Sequence, residues 1–160
     1  MAASEIRAKY ANAAPFTISL KGIANLAARS SAELTNTDKA PRAKIHARVY
    51  VGTDPTAGTT IDFYLLRSNN GSGTASPALR TDEATDADAT MSGGIINAQP
   101  IGSLVLSVAT SDKIYVGDFM VEDLGPKWGI AVVNRTNKAL RDHTDNNNSI
   151  TYEYMVPEAQ

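Results

Sequence analysis

The chain has no cysteine and only two histidines, His46 and His143, in 160 residues. That excludes a disulfide scaffold, a thiolate metal site and a cysteine nucleophile, and it leaves little with which to build a zinc centre or a general base. No apolar run approaches the roughly 20 residues of a membrane helix. The start Met1-Ala2-Ala3-Ser4-Glu5-Ile6-Arg7 lacks the charged-then-apolar design of a secretory signal. The expectation is a soluble chain made in the cytoplasm, with no membrane partner. Neither charge sign dominates: 15 Lys and Arg stand against 17 Asp and Glu, a net charge of −2, which argues against a nucleic-acid partner.

Aromatic residues are scarce at 6%, whereas Ala (24) and Thr (15) are plentiful. A core must then be assembled from Val, Ile, Leu and a few rings, which favours thin β layers over a thick helical core. The clearest alternation is Lys44 to Val51. Ile45, Ala47, Val49 and Val51 share one face, and Lys44, His46, Arg48 and Tyr50 the other, the pattern of a half-buried antiparallel strand. Gly52-Thr53-Asp54-Pro55-Thr56-Ala57-Gly58 is a turn, and Thr60 to Arg67 alternates again with Ile61, Phe63 and Leu65 inward. The two strands read as a hairpin.

Ser68 to Gly94 shows neither helical nor strand period and reads as a long surface loop, a kind of segment that often has a binding task or serves as linker. Further strands are expected at Ile101–Val108, Lys113–Val121, Trp128–Val133 and Ser149–Val156. Trp128 to Val133 is apolar on both faces, as in a central strand covered on both sides. In the last strand Ile150, Tyr152, Tyr154 and Val156 point inward before Pro157 stops it.

The first third differs. Ala2 to Ala14, with Ile6 and Tyr10 four apart, reads either as a short helix or as an arm that orders on contact. Phe16 to Leu20 alternates as a strand, and Lys21 to Ala28 reads as a turn with a helical half. Residues 1–48 carry eight basic and three acidic side chains, a net +5; residues 49–160 carry seven and fourteen, a net −7. The chain therefore divides into an N-terminal arm with a first strand (1–28) and a β-sandwich domain with a long loop at 68–94 (29–160). The fold class is all-β: an antiparallel β-sandwich, of jelly-roll type, with an extended or partly helical N-terminal arm.

No constellation of reactive groups stands out. Asp82-Glu83-Ala84-Thr85-Asp86-Ala87-Asp88 concentrates carboxylates but lacks the glycine and distal Glu of a calcium loop, so a solvated acidic loop is the better reading. His143, near Asp142, Asp145 and Ser149, is accompanied by no nucleophile elbow. Asn70-Gly71-Ser72-Gly73-Thr74 lacks the Lys-Ser/Thr of a phosphate loop. His46 belongs to a polar strand face. Lys44, Arg48 and Tyr50 offer one ring, a thin platform for a single nucleic-acid strand. Trp128 is a structural core anchor. No catalytic, cofactor or metal residue is assigned.

The order of the pieces carries more. Phe16 to Leu20, Leu26 to Ser31, Ala43 to Val51, and Gly52 to Gly58 leading into Ile61 to Leu65 together resemble small tailed-bacteriophage virion proteins. So do Ala98-Gln99-Pro100-Ile101-Gly102, Gly125-Pro126-Lys127-Trp128-Gly129-Ile130-Ala131-Val132, Ala139-Leu140, and Tyr152 to Pro157. The resemblance implies a jelly-roll cement or decoration protein on the capsid exterior, assembled in the host cytoplasm. It would have no catalytic residues and no cofactor. Such proteins bind the outer face of the major capsid protein as dimers or trimers, with trimer favoured, and bridge neighbouring subunits.

Under that reading the N-terminal segment is the contact. Tyr10, Phe16, Ile18, Leu20, Ile23 and Leu26 are the apolar candidates, and Lys9, Lys21 and Arg29 meet acidic shell surface. The alternative is that Phe16, Ile18 and Leu20 form the first strand of the core. Two rival functions remain: a tail or head-fibre module reading host glycans through the 68–94 or 142–148 loop, and a hydrolase or lyase on a sandwich. The first is disfavoured by the absence of Phe, Tyr and Trp from Ser68–Gly94, the second by the shortage of titratable groups.

Overall fold

Period-two patterning organises the chain into β1 (Ile6–Tyr10), β2 (Ala14–Pro15), β3 (Ala28–Ser30), β4 (Leu34–Thr35), β5 (Arg42–Val51), β6 (Thr60–Ser68), β7 (Ala89–Met91), β8 (Gln99–Val105), β9 (Lys113–Glu122), β10 (Lys127–Arg135) and β11 (Ser149–Ala159). The structure is a computed structural model and describes residues 6–52, 54–68, 88–91, 98–141 and 148–159. All pairing is antiparallel. One sheet runs β1-β11-β5-β9, with β2 also on β11; the other runs β7-β3-β10-β6-β8, with β4 also on β10. If β1 and β2 count as one strand and the short β4 and β7 are set aside, the eight principal strands read 1-8-3-6 and 2-7-4-5. This is the interleaved order of a jelly roll.

The core fills the space between the sheets. Ile45, Val49, Ile150 and Tyr154 from the first sheet meet Ile61, Phe63, Leu65, Trp128, Ile130 and Val132 from the second. Burying each aliphatic or Phe side chain contributes about 1.5–3 kcal/mol. Trp128 is fully buried and lies edge-on to Phe16 and Tyr152, at centroid distances of 5.3 and 5.4 Å, the arrangement that ring quadrupoles favour. It is the core anchor that its strand pattern indicates. The two-faced apolar pattern of β10 has the expected cause as well. The outward side chains Ala131 and Val133 are buried in a second cluster with Ala28, Leu66 and Met91.

Three expectations about strands are corrected, and of the two readings of the N-terminal arm the extended one holds. β5 and β6 are not a hairpin: β5 pairs with β11 and β9, and β6 with β10 and β8, so the two strands belong to different sheets. Alternation fixes which face of each strand is inward but not which sheet receives it. The described part of the N-terminal segment is not helical, because Ile6–Tyr10 pairs residue for residue with β11, from Ile6 opposite Ala159 to Tyr10 opposite Met155. Phe16 to Leu20 buries alternate side chains without joining a strand ladder; it is held by Phe16 N–H donating to Ile150 O at 2.9 Å and Ala32 N–H donating to Thr17 O at 2.9 Å. Pro157 does not stop β11. The ladder to β5 ends at Met155, which leaves one side of Pro157 without a partner strand, and there a missing N–H costs nothing.

The 68–94 stretch is not one loop. β6 extends to Ser68 and Ala89–Met91 pairs with β3, from Ala28 opposite Met91 to Ser30 opposite Ala89. Residues 69–87 lie outside the described residues, as do His143 and Asp82 to Asp86.

Candidate functional site

The turn before β3 is built on two left-handed residues, Gly22 at φ 78° and Leu26 at φ 65°. A leucine in that conformation costs about 1–2 kcal/mol, so its surroundings must impose it. They do so through Asn134, which is fully buried at the end of β10. Its carbonyl accepts from Leu26 N–H at 2.7 Å, and its side-chain amide donates to Ile23 O at 2.8 Å and to Lys138 O at 2.6 Å. Gly22 N–H donates to Leu140 O, Leu140 N–H to Ile23 O, and Asn137 N–H to the Asn25 side chain. The tip is thus bonded from both flanks, and it lifts Leu26 into solvent, 69% exposed. Lys21 and Lys138 are exposed on the two turns that these bonds join.

The remaining contact candidates separate by burial. Phe16, Leu20 and Ile23 are buried in the inter-sheet core and Ile18 packs against it, so as the chain stands they face inward. Lys9 and Tyr10 are exposed on β1. Arg29 does not face outward as a basic contact: its Nε ion-pairs with Asp88, which also accepts from the Ser19 hydroxyl. Burial alone would raise the Asp88 pKa, but the hydrogen bonds from Arg29 and Ser19 outweigh it and hold the carboxyl below its ordinary range.

Part of the positive charge counted to residues 1–48 belongs to the body and not to the arm, because Arg42, Lys44 and Arg48 lie on β5. Several of the first 48 residues' cations lie on or beside β5, opposite acids of β9. Lys44 Nζ is 2.9 Å from Asp118, His46 Nδ1 is 2.7 Å from the same carboxylate, and Arg42 Nε is 3.0 Å from Glu122. Register explains it: His46 is directly opposite Asp118 and Arg42 opposite Glu122. The hydrogen bonds from Lys44 and His46 lower the Asp118 pKa, and the Lys44 bond to Asp118 raises that of Lys44.

β9 itself carries a feature the sequence reading did not single out. Ile114, Val116 and Met120 project from its outer face, with Val116 70% exposed. Their alternation was visible, but the position of β9 at the sheet edge was not. At the end of the sandwich away from Leu26, a cleft of about 470 Å³ separates the 36–41 turn from Asp123–Pro126, floored by Ala40 and Leu124. Its one amide, Asn36, is spent on Ala40 and on Gly125 O. Among the described residues no group of three or more His, Asp or Glu is placed to hold a metal ion, and no helix is long and apolar enough to cross a membrane.

No protein-family model matches the chain, and no curated protein matches its sequence.

Proposed function

We propose that this chain is a bacteriophage virion structural protein, a cement or decoration protein that binds the outer face of the major capsid shell, self-associates and bridges neighbouring subunits. The observation that carries the reading on the structural side is Leu26. An apolar side chain held exposed in a costly backbone conformation, on a turn bonded from both flanks, points to contact rather than to stability, because the strain and not the exposure is what sets it apart. With Lys21 and Lys138 exposed on the two bonded turns, it suits an apolar pocket with carboxylates nearby, an anchor in a protein interface. A jelly-roll sandwich is also the architecture that the resemblance implies. Cement needs no strong single foothold, because several simultaneous ones multiply.

The test is reconstitution on purified heads lacking the protein, read by cryo-EM. Wild type is expected at regular lattice positions in hundreds of copies, and Leu26→Asn at strongly reduced occupancy. Absence of wild-type density from the lattice, or a few copies at the tail, overturns the reading; full occupancy by Leu26→Asn overturns the contact.

A further inference from the structure

Each sheet of an open sandwich has two edges, and exposed edges are normally blunted against pairing with other chains. Among the described residues the two sheets end in β1, β9, β7 and β8, and three of these four edges show such devices. β7 is three residues long. β8 contains Pro100, and its ladder with β6 shifts register between Phe63 and Tyr64. β1 is five residues long, two of them basic. β9 is neither shortened nor interrupted: it is ten residues long, has no proline, and pairs with β5 in an unbroken register from Lys113–Val51 to Glu122–Arg42. Of its charged side chains Lys113 lies at one end, and Asp118 and Glu122 are paired with Lys44, His46 and Arg42 of β5, which leaves Ile114, Val116 and Met120 as the apolar members of the outward row.

We infer that the edge of β9 that no described strand covers pairs with β9 of a second copy, antiparallel about a two-fold axis, to form one continuous sheet across a dimer. The sequence of β9 selects the register. A two-fold axis normal to the sheet keeps outer side chains on the outer face, so each residue must meet one of the same parity. Centring the axis on Gly117 sets Ile114 opposite the partner's Met120 on the outer face and Tyr115 opposite the partner's Phe119 on the inner face, each twice. Apolar and aromatic pairs directly opposite are the favourable units of antiparallel sheets. Val116 then meets the partner's Asp118, whose charge is already taken up within its own copy. Centring one residue later, on Asp118, would set that carboxylate opposite itself. A two-fold interface uses the same patch on both copies and closes at two, so an exposed edge is abolished without open-ended assembly. The inference stands on the edges alone and does not depend on the virion reading.

The test uses light scattering and sedimentation on the full chain across a wide concentration range, with circular dichroism to verify folding. Wild type is expected at twice the 17.0 kDa chain mass. Val116→Asp, at a solvent-exposed position, sets like charges opposite one another twice and should weaken association about tenfold or more, whereas Val116→Lys should retain it. The chain has no cysteine, so crosslinking is clean. The Ile114→Cys/Met120→Cys double variant should oxidise to a covalent dimer, and either single variant should not, because each cysteine would face a residue that is not cysteine. A monomer at all concentrations, which would leave the edge to a strand of another protein, overturns the inference. So does a trimer, a dimer indifferent to Val116→Asp, or efficient crosslinking of a single variant.

Discussion

Trp128 on β10 donates its indole N–H to the hydroxyl of Tyr154 on β11 at 3.0 Å, joining the two sheets by a buried hydrogen bond through the middle of the core. Tyr154→Phe keeps the ring and leaves the indole N–H without an acceptor, which should cost about 1–3 kcal/mol. Urea unfolding followed by the fluorescence of the sole tryptophan measures it, since the emitting group is the one affected. An unchanged midpoint would mean that the bond contributes nothing net.

Where β8 and β9 approach across the sandwich, two glycines make room for two large side chains. A Cβ at Gly102 would lie 2.7 Å from the Phe119 ring, and one at Gly117 2.5 Å from a Leu104 methyl. Gly117→Ala is expected to destabilise by about 1–3 kcal/mol through overpacking. Combined with Leu104→Val, the penalty should be smaller than the sum of the two single changes; a strictly additive pair would show that the two positions do not press on one another.

Leu26 separates stability from contact. Asparagine tolerates the left-handed region better than leucine, and the leucine side chain is mostly in water, so Leu26→Asn should leave thermal unfolding unchanged or slightly raised while it lowers occupancy on capsids. A clear loss of melting temperature would show instead that Leu26 serves the fold.

Acid sensitivity follows from Asp88 and Asp118. Both carboxyls sit below the ordinary value of 3.8 in the folded chain, so their stabilising contribution is fully present above that value and is lost as pH falls through the folded values. Urea midpoints should therefore hold steady from neutrality to about pH 5 and decline below about pH 4. In Asp88→Asn the difference from wild type should shrink over that same acid range; a constant difference would contradict the linkage.

Alkali acts through tyrosine. Burial raises the pKa of Tyr152 and Tyr154, in the latter against the opposing Trp128 hydrogen bond, and the hydrogen bond to Asp112 raises that of Tyr50. Their contribution is fully present below the ordinary value of 10.0 and is lost as pH rises through the folded values. Phenolate absorbance should show these three of the six tyrosines lagging and then ionising together with unfolding. Six tyrosines titrating together near 10 would refute it.

Most of the strands were legible in the chain because burial on one face writes itself as alternation. Ile45 to Val51, Ile61 to Leu65 and Ile150 to Tyr154 face inward as their spacing indicates. Trp128 to Val133, apolar throughout, is indeed covered on both sides. Ile6 to Tyr10 was not legible, since five residues at an edge take their conformation from β11 rather than from local preference.

The site was less accessible than the fold. Nothing in Leu26 as a letter distinguishes it from Leu20, yet one is lifted into water and the other is buried. The difference comes from Asn134, more than 100 residues away, whose amide and carbonyl dictate the turn. The scarcity of cysteine, histidine and aromatics bounded the chemistry, and alternation set which side chains turn inward, because both depend on the order of residues alone. Partnership was decided only in three dimensions. The crossing of β5 and β6 into different sheets, the meeting of the early cations with the acids of β9, and the placing of β9 at an open edge all depend on pairings between segments far apart in the chain, which no local pattern encodes.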